Sequence, residues 1–227
     1  MGIQAHALNY RRIFDDSYTS AERYAEGIRP QLIQIARQYG EDWRLIESIV
    51  FPELMRYHKV YDAVETSSLI SLYTTLGIRY ADFSIGRFQM KPSFAYSVEQ
   101  FLWEGNYAQL ATQLGFKSDD TTDNASNRYQ RISRLESTNW QIRYVIGMVQ
   151  CMRSRHKAYL KKAGNTHVLS FIASGYNSGW YRSAAHIQYY SKKAMYSLSK
   201  WPSKKKYCFA DIALFRYREL QQRTKYS

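Results

Sequence analysis

Ile49-Val50-Phe51-Pro52-Glu53-Leu54-Met55-Arg56-Tyr57 is the stretch on which the reading of this chain turns. Leu45 and Ile46 upstream of it and Ile49 and Val50 within it recur at helical spacing, and Asp42 can cap the helix they imply. That apolar helix delivers a carboxylate beside a proline and among large apolar side chains. A carboxylic acid in such surroundings resists ionisation, because burial disfavours its charged form. Its pKa should rise, which suits it to general acid chemistry near neutral pH. Composition alone favours the plainer reading, a solvent-facing glutamate at a helix end. The rest of the chain has to decide between the two.

Outward from this stretch, helix signals recur and strand signals are nearly absent. Thr19-Ser20-Ala21-Glu22 has the pattern of a capping box, and Pro30 suits the first turn of a further helix stopped by Gly40. Ser67 or Ser68 opens a short helix through Leu69, Leu72, Tyr73 and Leu76, ended by Gly77. Ser97-Val98-Glu99-Gln100 is a second capping box, and residues 117–127 read as a polar surface loop. Thr138 opens the longest helix expected, with Ile142, Val145, Ile146, Val149 and Met152 inward. Further helices are expected over Thr166–Ser174, Ser183–Leu198 and Cys208–Gln222, the last two separated by Trp201-Pro202-Ser203. With no internal repeat and no low-complexity linker, the pattern predicts one all-α unit over 1–227. Its core lies at about 42–182, with helical extensions at 1–41 and 183–227.

Charge narrows the partners. Thirty-two Lys and Arg against 19 Asp and Glu leave +13 on 227 residues. Arg153, Arg155, Lys157, Lys161 and Lys162 form one cluster and Lys204-Lys205-Lys206 another. Such a surface attracts polyanions, whether nucleic acid, anionic lipid or an acidic wall polymer, or is simply a solvated cationic face. No apolar run is long enough for a transmembrane helix. Cys151 and Cys208 lack metal-ligand spacing and read as buried thiols, with a single bridge between them as the alternative. The five histidines form no metal motif, so neither a metal nor a cofactor is expected. Met1–Asn9 has no basic region followed by an apolar stretch and does not read as an export signal.

Two later segments also break the helical rules. In Gly86-Arg87-Phe88-Gln89-Met90-Lys91-Pro92-Ser93-Phe94-Ala95, the glycine permits a close backbone approach and Gln89 can both donate and accept hydrogen bonds. In Ser174-Gly175-Tyr176-Asn177-Ser178-Gly179, a helix ends in a Tyr-Asn pair flanked by glycines. Taken blandly, these are a loop with a buried aromatic edge and a helix C-cap.

Together and in this order, the three segments resemble the lytic transglycosylases of the lysozyme-like superfamily. That family carries an apolar helix ending in a catalytic Glu, then Gly-Leu-Met-Gln-x-x-Pro-x-Thr-Ala, then Ala-Tyr-Asn-x-Gly. Glu53 stands at the Glu; Gly86, Gln89, Pro92 and Ala95 match the second element without a gap; Tyr176, Asn177 and Gly179 match the third. The departures are Leu54 for the usual Ser, Arg87-Phe88 for Leu-Met, Phe94 for Thr, and 33 positions from Glu53 to Gly86, longer than is usual. Glu47-Ser48 also spells Glu-Ser, but it would lie in mid-helix and farther from the glutamine loop.

The resemblance implies a lysozyme-like helical domain that cuts the β-1,4 bond between N-acetylmuramic acid and N-acetylglucosamine in peptidoglycan. It implies Glu53 as general acid and base, Tyr176 as the group that positions it, and Gly86, Phe88, Gln89, Met90 and Asn177 as substrate-binding positions. Gln89 and the backbone at Phe88 and Met90 would hold acetamido groups. A hydrolytic lysozyme would add a second carboxylate, for which Asp62, Glu65 and Asp82 are candidates. Trp103, Trp180 and Tyr181 are candidates for stacking on sugar rings. A wall substrate implies a periplasmic or envelope location. Two other readings compete: a silent peptidoglycan-binding protein of the same fold, and a basic nucleic-acid-binding protein. The second leaves both later segments without a purpose, so nucleic acid is not expected as a partner.

Overall fold

In a computed structural model, which describes residues 8–57, 63–105, 107–198 and 205–223, the chain is mainly helical. Helix α1 (Tyr10–Gln38) is capped by Asn9, whose side chain accepts from the Arg12 N–H at 3.1 Å. Tyr10, Phe14, Tyr18, Ala21, Ala25, Leu32 and Ile35 run along one buried face of it, interrupted only by a kink at Asp15 (φ 37°). That continuous apolar stripe overrides the local signals at Thr19–Glu22 and Pro30, which lie inside α1 and do not start helices. Glu22 is drawn instead into ion pairs with Arg11, Arg216 and Arg223. At 29 residues α1 is longer than α7 (Thr138–Arg155), expected to be the longest.

Helix α2 (Trp43–Tyr57) is the central element. Asp42 accepts from the Arg44 N–H at 3.0 Å to cap it, and every residue from Leu45 to Met55 is buried. A helix buried all round must be packed on all sides, and α2 touches α1, α7, α9 (Asn165–Ser178) and α11 (Phe209–Arg223). Underneath it Arg216, fully buried on α11, donates to Glu47 at 2.7 and 3.0 Å and lies over the Phe51 ring.

Helix α3 (Ala63–Leu76) begins earlier than the serines predict and ends at Gly77 (φ 89°). Helix α4 (Pro92–Glu104) starts with Pro92 in its first turn, so the box expected at Ser97 lies inside it. Three helices among the described residues escaped the sequence reading, α5 (Ala108–Leu114), α6 (Ala125–Glu136) and the single turn α8 (Lys157–Leu160). A short 3-10 turn (Ser118–Thr121) precedes α6, and Asn124 caps it, so the polar loop is shorter than 117–127. Arg131 and Arg134 of α6 meet Glu99 of α4 in a buried cluster that Tyr144 of α7 joins.

After α7 come α8 (Lys157–Leu160), α9 and α10 (Ala184–Tyr190). The helix expected over Ser183–Leu198 stops at Tyr190. Strand β1 (Ala194–Tyr196) follows and pairs antiparallel with β2 (Tyr207–Cys208), which leads into α11. Trp201-Pro202-Ser203 and Lys204 lie outside the described residues. Cys151 and Cys208 are free and buried. Among the described residues no helix is long and apolar enough to cross a membrane, and no group of His, Cys, Asp and Glu could hold a metal ion.

Candidate active site

The second half of α2 carries Glu53 to the wall of a cleft of about 310 Å³. Pro52 has no N–H, so the helix loses one backbone hydrogen bond immediately before the glutamate. From β1, the buried Tyr196 hydroxyl donates to the Pro52 carbonyl and braces this point. Glu53 is 6% exposed, and its Oε2 is buried without a hydrogen-bond partner. Arg56, one turn on, brings Nη1 to 3.8 Å, an ion pair too long for a hydrogen bond. Burial pushes the Glu53 carboxyl up to about 7, with Arg56 pulling weakly the other way. The carboxyl is therefore divided between its acid and its base form at neutral pH.

Facing Glu53 is the loop between α3 and α4. Ile85 and Met90 exchange both backbone hydrogen bonds, at 2.8 and 3.1 Å, closing a tight turn with Gly86 at φ 66° and Gln89 at φ 53°. A Cβ on Gly86 would sit 1.8 Å from Gln141 Nε2 and 2.5 Å from the Leu135 carbonyl. Gln141, buried on α7, grips the turn by donating to the Ile85 and Leu135 carbonyls and accepting from the Phe88 N–H. The glycine is thus demanded by both backbone conformation and space. Gln141 was missed in the sequence because a glutamine early in a helix carries no local signal of a long-range contact.

Several expected contacts are corrected by this geometry. Gly86 and Phe88 do not line the cleft, and Phe88 is fully buried. The Phe88 and Met90 backbone groups are already taken, by Gln141, Tyr176 and Ile85, so they are not open to acetamido groups. Tyr176 does line the cleft, but its hydroxyl donates to the Phe88 carbonyl at 2.6 Å and not to Glu53. It fixes the glutamine turn against α9. Gln89, Met90 and Asn177 do line the cleft with Glu53, Asn177 exposed in the last turn of α9 before Gly179 (φ 105°). Gln89 spends one amide bond on the Gly86 carbonyl at 3.0 Å, which leaves its amide oxygen for other partners.

The remaining candidates separate cleanly. Glu47 is buried and engaged by Arg216 and Arg29, on another side of α2. Asp82 lines the cleft but accepts from the Ser93 N–H and hydroxyl at 3.0 and 2.8 Å, holding the start of α4. Asp62 lies outside the described residues, as does the Glu65 side chain. Trp180 is a buried wall whose indole donates to Ser97 Oγ at 3.0 Å, while Tyr181 stands 48% exposed at the rim. Trp103 packs against the core and does not line the cleft. Tyr196 had no sequence signal, since it lies on a strand within a stretch read as helix.

Comparison with protein-family models, with curated proteins and with solved structures finds no match to this chain.

Proposed function

We propose that this chain is a peptidoglycan-cleaving glycosidase of the lytic transglycosylase type, with Glu53 as its one general acid and base. The observation that carries the reading is a buried carboxyl at about 7, without a hydrogen-bond partner on Oε2, opening on a cleft that also holds Gln89, Tyr176 and Asn177. A group divided between its two forms at neutral pH can perform both halves of the reaction.

In the first half, protonated Glu53 gives its proton to the glycosidic oxygen as the bond from C1 of the muramoyl sugar breaks. In the second, the resulting carboxylate takes the proton of that sugar's C6 hydroxyl while the oxygen closes on C1, forming a 1,6-anhydro ring. The proton count returns to its starting value without water. Gln89 and Asn177 supply hydrogen bonds to acetamido and hydroxyl groups, and the exposed Tyr181 offers a face for a sugar ring. Tyr176 acts through the loop by holding the Phe88 carbonyl. The +13 charge favours a substrate bearing carboxylates, and such a substrate places the protein in the cell envelope.

The test is product analysis. Purified peptidoglycan is incubated with the protein and the soluble fragments are weighed by mass spectrometry. Anhydromuropeptides are expected, and Glu53→Gln should abolish them. Reducing-end products would replace this reading with a hydrolytic lysozyme. No release at all would leave a binding protein.

A further inference from the structure

The net charge of +13 is confined to one stretch of the chain. From Ser137 to Ala210 the sequence holds 13 Lys and Arg and no Asp or Glu, while the other 19 Lys and Arg match all 19 Asp and Glu. A chain that is otherwise neutral thus carries its whole excess on the elements from α7 to β2. Two exposed clusters of it flank the ends of α9, whose 14 residues span about 20 Å. Before its start stand Arg155, Lys157, Lys161 and Lys162, and among these described residues no large apolar side chain is exposed. Beyond its end stand Arg182, Lys192 and Lys193, and there Tyr181, Tyr189 and Met195 are about half exposed.

The second cluster mixes cations with apolar side chains. Ala185, Gln188, Tyr189, Lys192 and Lys193 line a shallow depression on α10 and the turn after it, and the Lys193 ammonium lies over the Tyr189 ring at 4.7 Å. Met195 stands exposed on the strand that follows, in which Tyr196 is buried. No acid opposes these lysines. Helix α10 packs chiefly on α9, and β1 on β2 and α11. Of these elements only α11 carries acids, where Asp211 interacts with Cys208 and Arg218, and Glu219 pairs with Arg11 and Arg216. Residues 199–204, outside the described structure, add Lys200 and Lys204 to the sequence and no acid. We propose that the α10–β1 face docks on an anionic lipid bilayer. Lysine reaches headgroup phosphates while its stem lies along apolar surface, and tyrosine settles at headgroup depth. Met195 can enter the acyl boundary beneath them. A dissolved polyanion would use the lysines alone and leave Tyr189 and Met195 in water. Tyr181 lines the cleft three positions before α10 begins, so a docked molecule holds its cleft beside the membrane.

The experiment reads binding, and its outcome is independent of whether the protein cuts peptidoglycan. The full chain is sedimented with vesicles of mixed phosphatidylglycerol and phosphatidylcholine, and with vesicles of phosphatidylcholine alone. Binding to the mixed vesicles is expected, weakened by salt, with little to the neutral ones. Lys192→Glu with Lys193→Glu should weaken it about 25-fold or more, since each lysine at an anionic surface is worth about fivefold. Arg23→Glu with Arg37→Glu makes the same change of charge at two exposed positions of α1 and should cost less than about fivefold. Tyr189→Ser with Met195→Ser should lower vesicle binding about tenfold and leave binding to heparin, a soluble polyanion, unchanged. Circular dichroism confirms that each variant is folded. No binding to the mixed vesicles, equal binding to the neutral ones, or equal losses in the two charge variants overturns the proposal. Vesicle binding that survives loss of Tyr189 and Met195 undiminished also overturns it, in favour of a dissolved polyanion.

Discussion

Replacing Glu53 with glutamine should change how stability depends on pH, and by a calculable amount. An unfolded glutamate ionises near 4.5, whereas the folded chain holds the Glu53 proton until about 7. Each tenfold difference in proton affinity is worth 1.36 kcal/mol, so ionising Glu53 in the fold is disfavoured by about 3 kcal/mol relative to the unfolded chain. The sign follows from which state holds the proton. Below 4.5 both states are protonated, and the folded state enjoys the full benefit of a neutral buried group. Between 4.5 and 7 the unfolded chain has released its proton while the fold has not, so stability declines as pH rises. Above 7 the loss is complete. Glutamine cannot ionise, and Glu53→Gln should lack this slope. The assay is urea unfolding of both proteins from pH 4 to pH 8.5. Taking the difference between the two curves cancels other buried groups that titrate, such as Glu41 and Asp211. The variant should gain about 3 kcal/mol on the wild type across the range, most of it before pH 7. A difference that stays flat with pH would mean that Glu53 ionises as a free glutamate does, and the argument for it as an acid would fall.

The other predictions concern what holds the cleft in shape. Gly86→Ala introduces a methyl against Gln141 and the Leu135 carbonyl at a left-handed position, and should lower stability by about 2 kcal/mol or more. Thermal unfolding checks this, and an unchanged midpoint would refute the clamp. Arg216→Ala leaves the buried Glu47 with Arg29 alone and should destabilise by about 3 kcal/mol, read by urea unfolding; less than 1 kcal/mol (about the worth of a surface pair) would refute its role. Tyr196→Phe removes the hydrogen bond to the Pro52 carbonyl and should cost about 1 kcal/mol. It should also move the Glu53 midpoint in carbon NMR, which a purely distant structural change would leave alone.

How much of this was legible in the sequence depends on the range of the cause. The helical class was, because apolar periodicity is local, and α2, α7, α9 and α11 lie close to where that periodicity puts them. Boundaries failed where a tertiary contact overrides a local signal. Thr19–Glu22 has a cap pattern, yet Glu22 is consumed by Arg11 of the same helix and by Arg216 and Arg223 from the far end of the chain, and the apolar stripe runs straight through. The three segments meeting at the cleft were legible as an ordered set, but their division of labour was not. Gly86 and Phe88 shape the turn from behind, and Tyr176 holds the loop instead of the carboxyl. Gln141, Tyr196 and the pairing of Arg216 depend on approaches of 50 residues or more along the chain, for which the sequence carries no spacing rule.

The pair Glu47 and Glu53 shows why burial alone does not make an acid. Both lie on α2, and both are almost wholly removed from solvent, at 1% and 6% exposed. Six residues of helix turn the second about 120° away from the first, and that rotation decides everything else. Glu47 faces α1 and α11, where Arg29 and Arg216 approach to 3.2 and 2.7 Å. A carboxylate so paired is fixed in place by the bonds it accepts. Glu53 faces the cleft, where the nearest cation among the described residues stands off at 3.8 Å and Oε2 accepts no hydrogen bond. With desolvation unopposed by close pairing, its neutral form is the comfortable one. Glu-Ser spelling points to the residue of the two that is locked in ion pairs away from the cleft. The helix phase, set by the apolar residues between them, favours the other.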